Sequence, residues 1–332
     1  NRLMNNQRIE FSPISVSGCF WSGSGAIVGL LSEHPDCNII PNEFTLFSYG
    51  QFFNEVIEAL LQKKKIDSAY QYNLRRFEEF NKSEPPIILS ALRYFCAKIG
   101  VFPRWLFAFK LGMSNVLGER YLSACNELLN ELNSPVSINN IDLDKICLLI
   151  NNVLFEASKG SDNINEDPIV TVFDQMISPP YASSAWAALP NLKLICVDRD
   201  WRDQYVEVRD QISRMIRVKQ VLGVKFWGLD IYSDDWKKPV DIFIRLRNKI
   251  DHVKNQHLQN ADKRLIWINF EDIIYDTKKT AQTVFDFLNL DVSKWIPNRY
   301  LIPQNSILNI GKWRNSRYVK EIEIIKEQIE IH

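Results

Sequence analysis

The sequence predicts an α/β fold in which helices flank a parallel β-sheet. Short β-rich apolar runs, such as Ile169–Phe173 and Leu192–Val197, are typical of strands that are buried on both faces. Amphipathic segments with helical spacing alternate with these runs, as they do in doubly wound sheets. The 332 residues are 46% hydrophobic and 24% charged, which is enough for a core of ordinary size.

The N-terminal part reads as the first half of a βαβ element. Ile14–Gly18 predicts a short buried strand, and Ser22–Gly25 predicts a turn rich in small residues. Ala26–Leu31 then predicts a helix, and Cys37–Ile40 is a candidate second strand. The turn therefore lies between a strand and the start of a helix.

The middle of the chain, residues 51–160, predicts a helical insertion within a single domain that spans residues 1–332. No β-rich run interrupts it, and apolar residues recur there at helical spacing. Its helices are predicted at Phe52–Leu61, Tyr70–Phe80, Ile87–Ile99, Val116–Leu132 and Leu143–Phe155.

The α/β alternation returns in the C-terminal half. A third β-rich run there is Arg264–Phe270, and helices are predicted at Trp201–Lys219, Pro239–Asn255 and Thr277–Leu288. Strands that alternate with helices in this way favour a parallel sheet.

Composition excludes several classes of function. Forty basic and forty acidic residues cancel, which argues against nucleic acid as a partner. The six cysteines form no C-x-x-C pair, so we expect no zinc site and reduced core thiols. No apolar run approaches the roughly 20 residues of a spanning helix, so we expect no transmembrane segment and a cytoplasmic location. Nothing in the sequence specifies an oligomeric state.

A first candidate site is the small-residue segment between the first strand and the first helix. Backbone N–H groups and hydroxyls at a helix start bind anions, and glycines let the backbone approach a ligand closely. The segment lacks the lysine of a Walker A motif, and such a segment is also compatible with a plain turn. Its residues are Trp21, Ser22, Gly23, Ser24, Gly25 and Ala26.

A second candidate is the charged run Asp198–Asp203, directly after the Leu192–Val197 strand. Ligands of open α/β sheets bind beyond the carboxyl ends of strands, and Arg199 there can hold a phosphate through two hydrogen bonds. The same run is also compatible with a solvated set of internal ion pairs.

Two further patches lie near the C-terminus. Asn269–Ile274 follows the last predicted strand. In Gly311–Asn315, Lys312 and Arg314 flank the indole of Trp313, an arrangement suited to binding phosphate and stacking on a base.

In this order, the four patches resemble the sulfotransferases that use 3′-phosphoadenosine-5′-phosphosulfate (PAPS). Gly23–Phe47 is similar to their sulfate-binding loop, helix and acidic loop, and Glu43–Phe47 and Ser178–Tyr181 are similar to segments of Golgi heparan sulfotransferases. Asp198–Asp203 resembles their 3′-phosphate element, and Gly311–Asn315 their Gly-x-Trp-Lys-Asn segment. Bacterial capsule or polysaccharide sulfotransferases look closest.

The resemblance implies a P-loop-like sheet, PAPS as donor, PAP as product and no metal. It implies that Ser22–Ala26 hold the 5′-phosphosulfate and that Arg199 holds the 3′-phosphate. Trp313 and Arg314 are expected to bind the nucleotide, and Lys312 to act as a catalytic cation.

The acceptor implied by the resemblance is a hydroxyl of a carbohydrate, with the helical insertion shaping its site. Glu43 is the expected general base and also an acceptor contact. Asp174 and Gln175, after the Ile169–Phe173 strand, are candidate substrate contacts, although Asp174 is equally compatible with a strand-end cap. His34 is interpreted as structural.

Two departures from the family pattern concern the donor. Trp21 stands where the family has lysine or arginine, and Glu207 stands where it has a phosphate-binding serine. Both positions belong to donor-binding elements, so they are included among the expected donor contacts. A P-loop-type nucleotide kinase and a non-catalytic nucleotide-binding module remain the alternative functions.

Overall fold

The computed structural model describes residues 12–18, 22–44, 57, 113–133, 142–160, 169–217, 225–226, 229–230 and 239–329. Trp21 lies outside the described residues. The three helices predicted between Phe52 and Ile99 also lie outside them, apart from Ile57.

The described elements alternate along most of the chain. The strands are β1 (Pro13–Gly18), β2 (Cys37–Glu43), β3 (Val170–Asp174), β4 (Lys193–Asp198), β5 (Lys225–Phe226), β6 (Leu229–Asp230) and β7 (Leu265–Asn269). The α-helices are α1 (Ser24–Leu31), α2 (Met113–Leu132), α3 (Leu143–Lys159), α4 (Ala182–Ala188), α5 (Trp201–Arg217), α6 (Pro239–Asn260), α7 (Phe270–Tyr275), α8 (Thr277–Leu288), α9 (Pro303–Ser306) and α10 (Val319–Ile329).

The main sheet has five strands in the order β2-β3-β1-β4-β7. β1 pairs in parallel with both β3 and β4, and β4 pairs in parallel with β7. The sheet is therefore parallel and flanked by helices, which confirms the predicted fold class. β5 and β6 form a separate antiparallel pair.

The strand order places a crevice at the carboxyl end of the sheet. From β1 the chain runs to β2 on one side, and from β4 it runs to β7 on the other. Connections that diverge in this way leave open space between the two strand ends, which is where α/β proteins bind ligands. The end of β1 is followed by Ser22–Ala26, and the end of β4 by Arg199.

Strand composition explains these positions in the sheet. All six residues of β1 are buried, and β4 is buried from Leu194 onward. Such apolar strands suit the middle of a sheet that is covered on both faces. β2 contains Pro41, whose missing N–H is tolerated in a strand at the edge of a sheet.

The chain forms two compact units. The first contains Asn1–Ile39, Asn165–Ser183 and Asn191–His332, and the second contains Ile40–Ile164 and Ser184–Pro190. The single domain over residues 1–332 and the insertion at residues 51–160 stay predictions.

In the first unit, one apolar cluster joins the sheet to α1, α7 and α8, through residues such as Val16, Leu30, Ile273 and Phe285. In the second unit, α2 packs against α3. The end of α3 approaches closely: a Cβ on Gly160 would lie 2.3 Å from the carbonyl oxygen of Leu117, so only glycine fits there.

The buried carboxylate of Glu33, next to the end of α1, fixes a long loop near the C-terminus. Its Oε1 accepts hydrogen bonds from the backbone N–H groups of Arg299 (2.8 Å), Tyr300 (2.9 Å) and Leu301 (2.9 Å). Its Oε2 accepts one from the indole Nε1 of Trp295 at 2.8 Å. Four donors thus satisfy a carboxylate that is only 3% exposed.

The neighbouring His34, interpreted above as structural, contacts the backbone through both ring nitrogens. Its Nε2 lies 2.9 Å from the carbonyl oxygen of Asp291, and its Nδ1 accepts from the backbone N–H of Asp36 at 3.2 Å.

Among the described residues, no helix combines the length and the apolar character needed to cross a bilayer.

We expect Glu33→Gln to lower the free energy of unfolding by about 2 kcal/mol or more, because the amide has one acceptor oxygen and places an NH₂ group against the other donors. Denaturant unfolding followed by circular dichroism measures this. The control Glu323→Gln changes an exposed side chain on α10 and should stay within about 0.5 kcal/mol of the wild type. Equal stability of the two variants would contradict the role assigned to Glu33.

Candidate active site at the carboxyl end of the sheet

The loop that leads into α1 is closely packed at Gly18 and Gly23 and open at Gly25. A Cβ on Gly18, at the end of β1, would lie 1.8 Å from Ser22 Oγ. A Cβ on Gly23 would lie 2.2 Å from the ring of Phe270, and Gly23 has a left-handed φ of 92°. At Gly25, by contrast, a Cβ would meet no atom of the other described residues within 4 Å, apart from the backbone of its own helix. The loop thus offers open space at the start of the helix.

The start of α1 is suited to an anion. Gly23 is the residue before the helix and supplies no side-chain cap, and the first turn contains no acidic residue. Uncapped amides and the positive end of the helix dipole therefore face outward. Ser22 is only 2% exposed, and among the described residues its Oγ has no hydrogen-bond partner. A buried hydroxyl costs stability unless it is satisfied, so Ser22 is a candidate ligand-binding group.

Gln175 links the end of β3 to this loop. Its φ of 58° is left-handed, and its backbone N–H donates to the carbonyl oxygen of Val16 at 2.7 Å. Its Nε2 donates to Ser24 Oγ at 2.7 Å. The structure therefore places Gln175 in contact with the loop, and Asp174 beside it as the last residue of β3. Their contacts to a substrate stay predictions.

Arg199 lies on the other side of the crevice, directly after β4. Its guanidinium is 5.2 Å from the ring centroid of Phe270, the ring that also packs on Gly23. Its Nη2 donates to the carbonyl oxygen of Asn309. Phe270 thus connects the loop to the arginine. The sequence had marked Asn269–Ile274 as a patch without assigning this role to Phe270; its position directly after β7 was the available signal.

The acidic residues around Arg199 organise the site. Asp198 accepts two hydrogen bonds from Arg247 (2.8 and 3.1 Å) and one from Lys254 (2.6 Å). Burial of Asp198 opposes ionisation, but the two cations outweigh it and lower its pKa to about 2. Asp198, the last residue of β4, is therefore a carboxylate that stays charged and joins the end of this strand to α6.

Two further carboxyl groups lie on either side of this strand end. Glu271 Oε1 accepts from the backbone N–H of Asp200 at 3.0 Å. Burial raises the pKa of Glu271, although that N–H opposes the change. Burial also acts to raise the pKa of Asp200, but hydrogen bonds from Arg202 outweigh it and leave the pKa lowered. The hydrogen bond between Glu271 and Asp200 brings the starts of α5 and α7 together.

Asp203 attaches the C-terminal segment to α5. Its side chain is fully buried and accepts from the backbone N–H groups of Gly311 (2.6 Å) and Trp313 (3.0 Å). The indole of Trp313 then lies under the guanidinium of Arg202, 4.4 Å from its centroid, and Arg314 lies 5.6 Å from the same centroid. The sequence had treated these two motifs separately.

Lys312 forms an ion pair with Glu207. The sequence predicts Lys312 as a catalytic cation and Glu207 as a donor contact. In the structure, these two side chains bind each other. Their roles toward a donor stay predictions.

Glu43 belongs to the second compact unit, where it is the last residue of β2 and is exposed. Its role as general base stays a prediction. In the described part of the chain, no group of three or more His, Cys, Asp and Glu side chains is arranged to hold a metal ion.

No protein-family model matches this chain, and no curated protein matches it. Among solved structures, it is similar to a sulfotransferase from Mycobacterium avium, with 12% identity, a TM-score of 0.46, and coverage of 97% of this chain and 76% of the other. It is similar to the sulfotransferase domain of the curacin biosynthetic pathway, with 14% identity, a TM-score of 0.42, and coverage of 96% and 98%.

A third similar structure is the sulfotransferase domain of an olefin synthase from Synechococcus, with 11% identity, a TM-score of 0.39, and coverage of 96% of this chain and 94% of that one. All three similarities are distant.

Because the pKa of Asp198 is lowered in the folded protein, the free energy of unfolding depends on pH in the acid range. A carboxyl group whose pKa is lower in the folded than in the unfolded state stabilises the fold above the unfolded value, and this contribution is lost as the pH falls toward the folded value. A drop of the pKa from 3.8 to about 2 corresponds to about 2 kcal/mol. We expect Asp198→Asn to be less stable than the wild type at neutral pH, and the difference to shrink by about that amount between pH 4 and 2. Urea unfolding across this range measures it; a constant difference would contradict the prediction.

Proposed function

We propose that this protein is a sulfotransferase that transfers the sulfuryl group of PAPS to a hydroxyl group of a carbohydrate. The observation that carries the proposal is the buried Ser22 hydroxyl, without a partner among the described residues, at the uncapped start of α1. It lies at the carboxyl end of a parallel sheet, beside open space over Gly25.

These residues fit the 5′-phosphosulfate of the donor. Its oxygens carry negative charge, and the start of α1 offers N–H groups and hydroxyls with no acidic residue in the first turn. Gly25, which is exposed, keeps the backbone accessible. Gln175 orients the Ser24 hydroxyl through the 2.7 Å hydrogen bond, so that the loop is positioned before the donor binds.

Arg199 is the proposed partner of the 3′-phosphate, which distinguishes PAPS from ATP. Phe270 and the carbonyl group of Asn309 fix its guanidinium next to the loop. A guanidinium held in this way loses little conformational entropy when it binds a phosphate. Trp313, which contacts Arg202 and Arg314, is the proposed contact of the adenine base.

The transfer step breaks the bond between sulfur and the bridging oxygen of the donor and forms a bond from sulfur to the acceptor oxygen. The acceptor proton goes to a base, for which Glu43 is the proposed residue. Negative charge grows on the bridging oxygen, and Lys312 is the proposed cation that stabilises it. Its ion pair with Glu207 holds the ammonium group in place beforehand, at the cost of reduced net charge.

The proposal is tested by incubating the protein with ³⁵S-labelled PAPS and candidate polysaccharides or glycolipids, and by comparing thermal shifts with PAP and ATP. We expect label transfer and a larger shift with PAP. Preference for ATP would indicate a nucleotide kinase instead. Binding of PAP without transfer to any acceptor would indicate a nucleotide-binding module.

We expect Ser22→Ala to weaken PAP binding by about 10-fold or more, because a hydrogen bond to a charged group is lost. The same change should leave the free energy of unfolding unchanged or raise it by about 1 kcal/mol, since it removes a buried hydroxyl without a partner. Calorimetry and urea unfolding measure the two effects. The control Ser32→Ala alters the other end of α1, where Ser32 Oγ donates to the carbonyl oxygen of Val28, and should leave PAP binding unchanged. Loss of stability without loss of binding in Ser22→Ala would contradict this assignment.

We expect Arg199→Ala to weaken PAP binding by about 10-fold or more while it affects adenosine 5′-monophosphate much less, because only PAP carries the 3′-phosphate. The ratio of the two dissociation constants is the readout. Arg264→Ala, which changes a residue next to the opposite end of β7, is the control and should leave both constants unchanged. Equal losses for both nucleotides would show that Arg199 does not contact the 3′-phosphate.

We expect Glu43→Gln to fold and to bind PAP normally but to lower turnover by about 10²–10⁴-fold, because the amide keeps the shape and cannot accept the proton. Glu119→Gln, another exposed glutamate in the same unit, should keep full turnover. Normal turnover in Glu43→Gln would assign the base to a different residue.

A further inference from the structure

Exposed apolar side chains are concentrated between Ile296 and Leu308. Of the eleven large hydrophobic side chains that are exposed in the described part of the chain, five lie in this segment. They are Leu308 (77% exposed), Ile296 (58%), Tyr300 (55%), Ile307 (44%) and Ile302 (42%). Single exposed apolar residues are ordinary, but a concentration of them marks an interaction surface.

The backbone of this segment is fixed, so the exposure is built into the fold. Glu33 binds the N–H groups of residues 299–301, and Leu301 is buried against α1, near Gly29. Its two neighbours, Tyr300 and Ile302, are therefore left exposed. Ile307 and Leu308 follow the short helix α9 and begin the turn that leads to Asn309.

The surrounding chain carries cations only. Residues 292–320 contain no Asp or Glu, and their basic residues are Lys294, Arg299, Lys312, Arg314, Arg317 and Lys320. Carboxylates from elsewhere pair with three of these: Asp36 with Lys294, Glu207 with Lys312, and Asp210 with Arg317.

The other three cations form no ion pair with a described carboxylate. They are Arg299, Arg314 and Lys320, and all three are exposed. This local excess of positive charge contrasts with the zero net charge of the whole chain.

We propose that the segment Ile296–Leu308, with Arg299 inside it and Lys320 in the chain that follows, binds the surface of a membrane that contains anionic lipids. Aliphatic side chains such as Leu308 are stabilised by leaving water for the acyl boundary, whereas sugars are bound by flat aromatic rings and hydrogen bonds. Cations next to such side chains match anionic headgroups. This combination is typical of segments that lie on a membrane without crossing it.

The position of the segment connects this surface to the candidate active site. Leu308 directly precedes Asn309, whose carbonyl group binds Arg199. A membrane-bound protein would therefore have the Arg199 side of its crevice close to the lipid surface. This connection rests on the proposed function, and it names a lipid-linked carbohydrate as the acceptor.

The test is co-sedimentation of the full chain with vesicles of phosphatidylcholine alone and of phosphatidylcholine with phosphatidylglycerol, without donor or acceptor. We expect binding to the anionic vesicles that weakens as salt increases. The double variant Ile307→Ser/Leu308→Ser should bind at least about 10-fold more weakly, and Arg299→Gln about 5-fold more weakly. Leu258→Ser, which removes a side chain of similar exposure on α6 (59%), is the matched control and should bind like the wild type.

Three outcomes would overturn the proposal: no binding to either vesicle, equal binding to both, or equal binding by the wild type and the double variant. If neither vesicle binds the protein, but soluble dextran sulfate binds the wild type and the double variant equally, the cations would instead be assigned to a soluble polyanion. Because vesicle binding is measured without sulfuryl transfer, its failure is distinct from a failure of the proposed function.

Discussion

The carboxylate of Asp203 lies on the first turn of α5, directly after the strand end that carries Arg199, and it is fully buried. Its two acceptor oxygens bind the backbone N–H groups of Gly311 and Trp313. A buried carboxylate without these donors would be strongly unfavourable, so the C-terminal segment is bound to the helix at a fixed register. The contacts of Asn309 with Arg199, of Lys312 with Glu207 and of Trp313 with Arg202 all depend on that register.

In the described part of the chain, buried carboxylates serve the fold. Glu33 is satisfied by backbone N–H groups and an indole, and Asp198 by Arg247 and Lys254. In each case the donors come from distant parts of the sequence, so that the carboxylate holds two segments together. Ser22 differs, because its hydroxyl is buried without a partner in the described residues. A buried hydroxyl of this kind costs stability, which makes Ser22 a candidate for binding a ligand.

The net charge of this protein is zero, but its charged residues are unevenly distributed along the chain. At the candidate active site, carboxylates neutralise most cations: Asp198 binds Arg247, Asp200 binds Arg202, and Glu207 binds Lys312. Residues 292–320, which include Lys312 and Trp313 of the site, carry cations without an acidic residue of their own. Internal ion pairs therefore reduce the positive field around the crevice, where a ring and a carbonyl group hold Arg199. The remaining positive charge lies on the surface that also exposes Leu308.

The sequence by itself determined the alternation of strands and helices. The helix Thr277–Leu288 has the predicted bounds, and the β1, β3, β4 and β7 strands lie within one residue of theirs, because apolar periodicity and turn residues act over a few neighbours. It also marked Ser22–Ala26 and Arg199 as donor-binding residues, which stay predictions, and α1 begins two residues earlier than expected, at Ser24.

Only the tertiary structure decided which charges face each other. Lys312 and Glu207 are 105 positions apart, and Trp295 and Glu33 are 262 apart, so no local pattern could pair them. The exposure of Ile307 and Leu308 was likewise invisible in a sequence where apolar residues normally indicate core. Such pairings follow from the packing of whole elements around the sheet, which is set by burial of the entire apolar surface and not by neighbouring residues.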